Sequence, residues 1–180
     1  MIMSVEELRR YMATDEDDQV LEGRLQALEL LIRGYTNNGF SVPHTGRLAD
    51  IVGGEFSLDE PADFEPGDTV CVSGIRNNGL YTVTDTAEES FTVKERTRDE
   101  IDAFVIKVSY PMDVKMGVVN LMKWETNNRD KVGVQSETIS RHSVTYTDQT
   151  AENTAMGYPA SLMGFLRPYM KARFGRGVDL

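Results

Sequence analysis

The side chains of this sequence that could support covalent catalysis are few. Ser143 follows His142 directly, and Asp148 comes six residues after His142, so the residue types of a nucleophilic triad occur close together. They lie in or beside an alternating apolar segment, and successive side chains of a β-strand point to opposite faces. His142 and Ser143 are therefore expected to face apart, and we interpret them as structural residues.

The single cysteine and the one acidic run also fit structural roles. Cys71 lies within an apolar run, where we expect a small core residue rather than a thiolate. Residues 15–18 are all acidic, but they lack the spaced oxygen ligands and central glycine of an EF-hand loop. Acidic side chains at a helix start complement the helix dipole, which explains the run without a cation.

No motif of a familiar catalytic or cofactor class is present. The Walker loop, GxGxxG, HExxH, CxxC and GxSxG patterns are absent. Two histidines and one cysteine cannot supply an all-Cys/His structural zinc site. We therefore expect no catalytic residues, no cofactor and no metal, and predict that the chain is not an enzyme. An enzyme would need a pocket with convergent titratable groups.

The composition predicts one main core. A chain of 180 residues with 40% hydrophobic residues can bury such a core, with room for one small inserted module. No apolar run approaches the roughly 20 residues that span a bilayer, and the N-terminus lacks the basic and apolar regions of a signal peptide. We expect neither secretion nor membrane insertion, and a reducing compartment suits the single cysteine.

The charge is strongly negative and unevenly distributed. A net charge of -10 argues against a protein whose main task is to grip phosphates. Residues 1–60 carry -7, residues 61–110 carry -5 and residues 111–180 carry +2. Ends of opposite sign favour head-to-tail self-association or a charged partner, although an acidic surface that only aids solubility has the same composition.

The N-terminal part of the chain has helical patterns. Ser4 and Glu7 have capping-box spacing and open a short helix that reaches Tyr11. Apolar residues then recur every three or four positions from Val20 to Tyr35, which predicts a helix over about residues 15–37. Residues 41–62 have no clear period and are interpreted as a connection, with at most a short strand near residues 48–52.

Short alternating runs between turn residues predict a small antiparallel β domain over residues 63–109. The expected strands are residues 69–72, 80–84, 91–94 and 104–109, with turns at residues 66–68 and 77–79. The first two strands look like the opening hairpin of an SH3-like barrel. This module lies between two helical segments and is therefore an insertion.

Helical periodicity returns after Pro111 and predicts helices over residues 112–128 and 159–173, the second bent at Pro168. Residues 132–146 are rich in β-branched side chains and predict an extended arm or hairpin. The predicted fold class is therefore α+β. Residues 1–40 and 110–180 form a small helical bundle with helices at about 15–37, 112–128 and 159–173, which carries an inserted SH3-like antiparallel β module and an extended β arm.

Two segments of this body have features of binding elements. The arm would leave an unpaired strand edge, which invites pairing with a neighbour, unless it is an ordinary hairpin folded back on its own domain. The tail from Arg173 to Val178 mixes two cations, one aromatic and two glycines, which suits docking into an acidic or aromatic groove. A frayed terminus is the alternative for the tail.

Three stretches, residues 110–117, 128–146 and 157–169, resemble head-tail connector (head-completion or adaptor) proteins of tailed bacteriophages and prophages of Gram-positive bacteria. The resemblance covers the N-terminal helices loosely and residues 110–174 closely. Its most specific part is the Ser-Glu-Thr-Ile-Ser sequence of residues 136–140 before the final Tyr-Pro segment. Shorter members of that family have no β module, so residues 64–110 depart from the family pattern.

The resemblance implies a structural virion protein in the phage neck, which assembles in the host cytoplasm. It would form a homo-oligomeric ring, commonly of twelve subunits, beneath the portal protein and above the next neck or tail-completion protein. Genomic DNA would pass through the lumen without specific binding, which an acidic wall favours. No membrane is involved.

Two interfaces follow from the resemblance by position. Subunit contacts are assigned to the arm residues Gln135, Ser136, Glu137, Thr138, Ile139, Ser140, Arg141, His142, Ser143, Val144, Thr145 and Tyr146. Portal docking is assigned to the tail residues Arg173, Phe174, Gly175, Arg176, Gly177 and Val178.

Two other functions remain open at this point. A stopper or tail-completion protein is another neck role, although the helical body favours the adaptor position over mainly β architectures. A nucleic-acid binding module is possible because some SH3-like barrels bind DNA or RNA. The module's charge of -5 and its lack of a basic stripe with interleaved aromatics disfavour that function.

Overall fold

The structure is a computed structural model that describes residues 1–128, 136–139, 142–145 and 154–172. Two compact units make up the chain. One unit is Gly39–Tyr110 together with Met1, and the other is Ile2–Asn38 together with the chain from Pro111 onward. The first is built of strands and the second mainly of helices, so the chain has the mixed α+β class that the sequence predicts.

The first unit is a closed antiparallel barrel of six strands. The strands are β1 Arg47–Val52, β2 Glu55–Leu58, β3 Thr69–Ser73, β4 Asn78–Thr86, β5 Ser90–Val93 and β6 Glu100–Val108. Their order around the barrel is β1-β2-β5-β4-β3-β6, and β6 pairs with β1 to close it. Closure leaves no strand with an unpaired edge.

The short strand expected near residues 48–52 is present as β1, but the interpretation of residues 41–62 as a connection is otherwise wrong. They contribute β1 and β2, which pair with each other and lie between β6 and β5. Inward residues of these strands, such as Ile51 and Phe56, are fully buried in the barrel core. The strands are short, and the register shifts between Ala49 and Ile51. The alternation of inward and outward side chains is therefore weak in the sequence.

Two smaller expectations about the barrel are also corrected. The turn predicted at residues 77–79 comes earlier, because Asn78 and Gly79 already pair with Ser73 and Val72. Cys71 is not a core residue but half-buried. It lies between the buried Val70 and Val72, so strand alternation places its side chain on the outer side of the wall.

Aromatic rings form the centre of the barrel core. Phe56 and Phe91 stack with ring centroids 4.6 Å apart and an interplanar angle of 20°. Phe64 meets Phe91 edge to face at 5.2 Å, and Tyr81 meets Phe56 in the same way at 6.3 Å. Offset and edge contacts of this kind add to the stabilisation from burial of the rings.

The second unit contains α1 Val5–Tyr11, α2 Asp18–Thr36 and α3 Met112–Asn128. The expected N-cap of α1 is present, since Ser4 Oγ accepts a hydrogen bond from the Glu7 N–H at 3.0 Å. Helix α2 begins three residues later than predicted, with Asp17 as its N-cap, and it ends at Asn37 in the left-handed conformation. The unit also contains two short strands in the arm, β7 Ser136–Ile139 and β8 His142–Thr145.

The predicted bent α-helix over residues 159–173 is wrong. A short hairpin comes first, with β9 Thr154–Ala155 paired to β10 Tyr158–Pro159, and a 3-10 helix over Ala160–Tyr169 follows. Met156 and Gly157 both have positive φ, as a tight two-residue hairpin turn requires. Gly164 and Pro168 are poor α-helix residues, which makes the tighter 3-10 form competitive over this stretch.

We predict that Gly117→Ala destabilises the helical unit by about 1–3 kcal/mol, because an added methyl group overpacks the contact between α3 and the 3-10 helix. A Cβ on Gly117 would lie 2.4 Å from the Phe165 ring. The matched control is Gly23→Ala in α2, where a Cβ meets nothing within 4 Å. There the better helix propensity of alanine should stabilise by about 0.5–1 kcal/mol. Denaturant unfolding followed by circular dichroism measures both changes, and equal effects would contradict this packing.

Candidate interaction surfaces

The arm forms a separate hairpin. Strands β7 and β8 pair antiparallel in the register Ser136 with Thr145 through Ile139 with His142, and they form a sheet of two strands. Among the described residues, no further strand pairs with the outer edge of either β7 or β8. Gln135, Ser140, Arg141 and Tyr146, which also belong to the predicted interface, lie outside the described residues.

Of the residues considered for a nucleophilic triad, His142 and Ser143 are successive residues of β8, and Asp148 lies outside the described residues. Among the residues that the structure describes, no group of three His, Cys, Asp or Glu side chains could hold a metal ion. Nor does any helix in those ranges have the length and apolar character needed to cross a membrane.

The chain that leads into the tail is anchored to the end of α2. The Lys171 N–H donates to the Thr36 carbonyl oxygen at 2.8 Å. The side-chain amides of Asn38 and Asn37 donate to the carbonyl oxygens of Tyr169 at 3.1 Å and Ala172 at 3.0 Å. The predicted docking residues Arg173, Phe174, Gly175, Arg176, Gly177 and Val178 lie outside the described residues.

An ionic cluster joins the two chain segments of the helical unit. The Arg24 side chain is only 12% exposed, and its guanidinium donates to Glu16 at 2.7 Å and to Glu125 at 2.8 Å. Burial on its own would lower the pKa of Arg24, but the hydrogen bonds to these two carboxylates raise it. One cation thus holds the α1–α2 loop, α2 and α3 together.

Tyr158 extends this cluster to β10. Its hydroxyl donates to Glu125, and its ring lies 5.7 Å from the Trp124 ring between centroids. Burial, followed by the hydrogen bond to Glu125, raises the pKa of Tyr158 well above its usual value, so the hydroxyl keeps its proton. Sequence reasoning missed this cluster because Arg24 and Glu125 are 101 positions apart.

A single carboxylate fixes a loop at one end of the barrel. The Glu100 carboxylate, at the start of β6, accepts backbone hydrogen bonds from Ile75, Arg76 and Asn77 in the β3–β4 loop. The Asn77 side chain also donates to Glu100 at 2.8 Å and to the Arg98 carbonyl at 2.8 Å. Burial would raise the pKa of Glu100, but these donated hydrogen bonds outweigh it and lower the pKa. The β3–β4 loop is therefore held rigidly on β6.

Three exposed apolar side chains lie at this end of the barrel, which we call the rim patch: Val52, Ile75 and Ile101. Their exposed fractions are 65%, 95% and 73%. Two hydrogen-bonded links bring them to the same end, since the N–H of Gly53, next to Val52, donates to Asp99 and Ile75 is bonded to Glu100, next to Ile101. Exposed apolar side chains grouped in this way are typical of interaction sites.

The barrel that carries the rim patch is the acidic part of the protein. Residues 39–110 contain six basic and 14 acidic side chains, a net charge of -8, and the remaining residues carry only -2. At the rim itself, Asp50 accepts from the Asp102 N–H, and Asp99 and Glu100 make the bonds described above. The sequence carried one signal of this site, the single isoleucine between Gly74 and Arg76 in a turn region.

We predict that Arg24→Met destabilises the helical unit by about 2 kcal/mol, because two half-buried carboxylates then lose their shared cation. Arg10→Met is the matched control. Its ion pair with Glu6 lies in solvent, with side chains 69% and 82% exposed, so no measurable loss of stability is expected. Denaturant unfolding of both variants measures this difference. Equal losses in the free energy of unfolding would show that the ionic cluster contributes no more than an exposed ion pair.

The Glu100 bonds predict a specific pH dependence. A lowered carboxyl pKa stabilises the fold above the unfolded pKa of about 4.3, and this stabilisation is lost as the pH falls through the folded pKa. Glu100→Gln should therefore lower the thermal midpoint at neutral pH, and the difference from the native chain should shrink in acid. Glu88→Gln, at an exposed position of the same barrel, is the control. A difference that is constant with pH would contradict the role of the carboxylate.

Comparison with known proteins identifies no family for this chain. It matches no protein-family model, and no curated protein matches it. Its candidate surfaces are therefore defined by their own geometry: the hairpin of β7 and β8, the anchored segment that leads into the tail, and an acidic barrel with an apolar rim.

Proposed function

We propose that this chain is a structural virion protein that forms a ring in the phage neck beneath the portal. The ring joins the DNA-filled head to the tail and lets DNA pass through its lumen. The observation that carries the proposal is the two-stranded arm of β7 and β8, combined with the resemblance of residues 128–146 to phage connector proteins. The chain acts by binding other virion proteins and needs neither catalysis nor a cofactor.

The arm supports ring formation through its backbone. A two-stranded sheet offers hydrogen-bonding groups along both outer edges, and a strand or hairpin from a neighbour can pair with them. When every subunit gives an arm and receives one, the contact is heterologous, and the correct rotation closes it into a ring. We assign a ring of twelve subunits on the resemblance alone.

The charge of the barrel supports a ring that lets DNA pass without binding it. Its net charge of -8 repels phosphates, so a ring that carried it near the lumen would not hold DNA during ejection. The same charge disfavours the alternative function of nucleic-acid binding. We propose that the closed six-stranded barrel is an SH3-like module, inserted into the helical connector body as an additional binding surface. The protein would assemble in the host cytoplasm and remain in the neck of the virion.

The first prediction concerns the arm. Replacing residues 135–146 by a Gly/Ser linker of equal length should abolish ring formation and leave the monomer folded, because the donated strand edges are lost. Light scattering coupled to size exclusion, with and without the portal protein, measures the assembly state. The control is Glu88→Gln, at an exposed position of the barrel outside the arm, which should preserve assembly. Rings that survive the linker exchange would refute the assignment of the arm.

The second prediction concerns the tail. Deleting residues 174–180 should abolish binding to the portal protein, because it removes Phe174 and Arg176 as an apolar anchor and a cation. Deletion of residues 179–180 alone is the control and should leave binding intact. Co-elution with the portal measures both, and undiminished binding after the longer deletion would refute the assignment of the tail.

A further inference from the structure

We propose that the rim patch of the barrel is a binding site for the C-terminal tail of a second copy of this chain. Phe174 would pack against Val52, Ile75 and Ile101, while Arg173 and Arg176 face the carboxylates around them. The contact is a head-to-tail link between subunits. This inference rests on the proposed function. It applies to the protein before portal docking, because the same tail residues are assigned to the portal in the assembled ring.

The rim patch has the rigidity that a binding site needs. Ile75 is almost fully exposed, yet its loop is fixed because the N–H groups of Ile75, Arg76 and Asn77 all donate to Glu100. Arg76 also donates to the Asp99 carbonyl at 3.1 Å. A side chain held in place by its backbone loses little conformational freedom on binding, so more of the contact energy is realised as affinity.

A second apolar pair lies further along β1 and β6. Leu48 and Phe104 are paired across these strands, and both are partly exposed, at 43% and 41%. Gly46 leaves room for the Phe104 ring, because a Cβ there would come within 2.6 Å of it. A peptide that follows β6 from the rim would pass the exposed Asp102 before it reaches this pair, so it would meet a carboxylate and then apolar surface.

The charge of the barrel determines the kind of occupant. Two barrels that each carry -8 repel one another, so contact between two rim patches is disfavoured. An occupant needs apolar side chains flanked by cations. The tail has this composition, with Lys171, Arg173 and Arg176 around Phe174 and no acidic side chain before Asp179.

The anchored chain just before the tail also favours this occupant. Ala172 and Lys171 are tied to the end of α2 by hydrogen bonds to Asn37 and Thr36. Phe174 follows Ala172 by two residues and can reach about 7 Å from it, and Val178 can reach about 20 Å. Docking of Phe174 therefore involves few residues beyond the anchored point, so few backbone dihedral angles need to be fixed.

The test combines two full-length variants. Ile75→Asp disables the rim and leaves the tail, while Phe174→Ser disables the tail and leaves the rim. Both variants also carry the Gly/Ser exchange of residues 135–146, so that the arm contributes no contact. Each alone should remain monomeric in sedimentation velocity at concentrations where the arm-exchanged parent chain associates. A mixture of the two should form a 1:1 dimer that grows no further, because only one link between a tail and a rim remains intact. Leu30→Asp in the same parent chain, at an exposed position of α2 outside the rim, is the matched control and should associate like that parent.

A second measurement needs neither self-assembly nor the portal. A fluorescein-labelled peptide of residues 171–180 should bind the full-length Phe174→Ser chain, and adding Ile75→Asp or Ile75→Ser should weaken binding at least about 10-fold. The neutral serine variant separates lost apolar contact from added repulsion. Circular dichroism should show unchanged folding, since Ile75 is 95% exposed.

Four outcomes would overturn the proposal: no saturable peptide binding, equal binding to the rim variants, a mixture that stays monomeric, or a native chain that stays monomeric while the peptide binds. These are distinguishable from failure of the neck function. Loss of rings on arm exchange with intact peptide binding supports both proposals. If rings survive arm exchange while the peptide still binds, the assignment of the arm is refuted and the rim site is still supported.

Discussion

The hydrogen-bonding of β6 on both sides is the constraint on which the barrel depends. From Phe104 to Val108 this strand pairs with β3, and from Glu100 to Val105 it pairs with β1. Without β6 the remaining five strands would form an open sheet with two exposed edges, and the core around Phe56 and Phe91 would lose one wall. Glu100 begins the same strand and holds the β3–β4 loop, so closure of the barrel and rigidity of its rim have a common origin.

The helical unit is assembled from two chain segments, and the whole barrel lies between these segments in the sequence. Apolar burial along α2 and α3 supplies the bulk of its stability, with residues such as Leu25 and Leu121 fully buried. Polar contacts then select one arrangement of the segments. Arg24 binds Glu16 and Glu125, and the amides of Asn37 and Asn38 hold the chain after the 3-10 helix. Such directional contacts favour one packing over others that would bury similar apolar area.

The contacts that hold each unit together are distinct from the surfaces that we propose for binding. The groups that hold each unit together are internally paired, and within the described chain no buried side-chain nitrogen or oxygen is left without a hydrogen-bond partner. The elements to which we assign binding are the outer edges of β7 and β8, the rim of the barrel and the tail. Under the proposed function, such a chain can fold before it meets its partners, and extended segments can then link it to neighbours.

The sequence by itself determined the features that depend on neighbouring residues. The capped start of α1, the span of α3, the four later strands of the barrel and the hairpin tendency of residues 136–145 are all local patterns of period, cap and turn. The acidic character of the barrel and the cationic, aromatic tail are likewise properties of composition. Only the tertiary structure decided that β1 and β2 belong to the barrel, because their strand character is weak until β5 and β6 pair with them. It also decided that Arg24 and Glu125 meet, that Cys71 faces outward, and that Val52, Ile75 and Ile101 share one rim. Each of these depends on residues that are distant in the chain and become neighbours only when hydrogen-bond pairing and apolar burial bring their elements together.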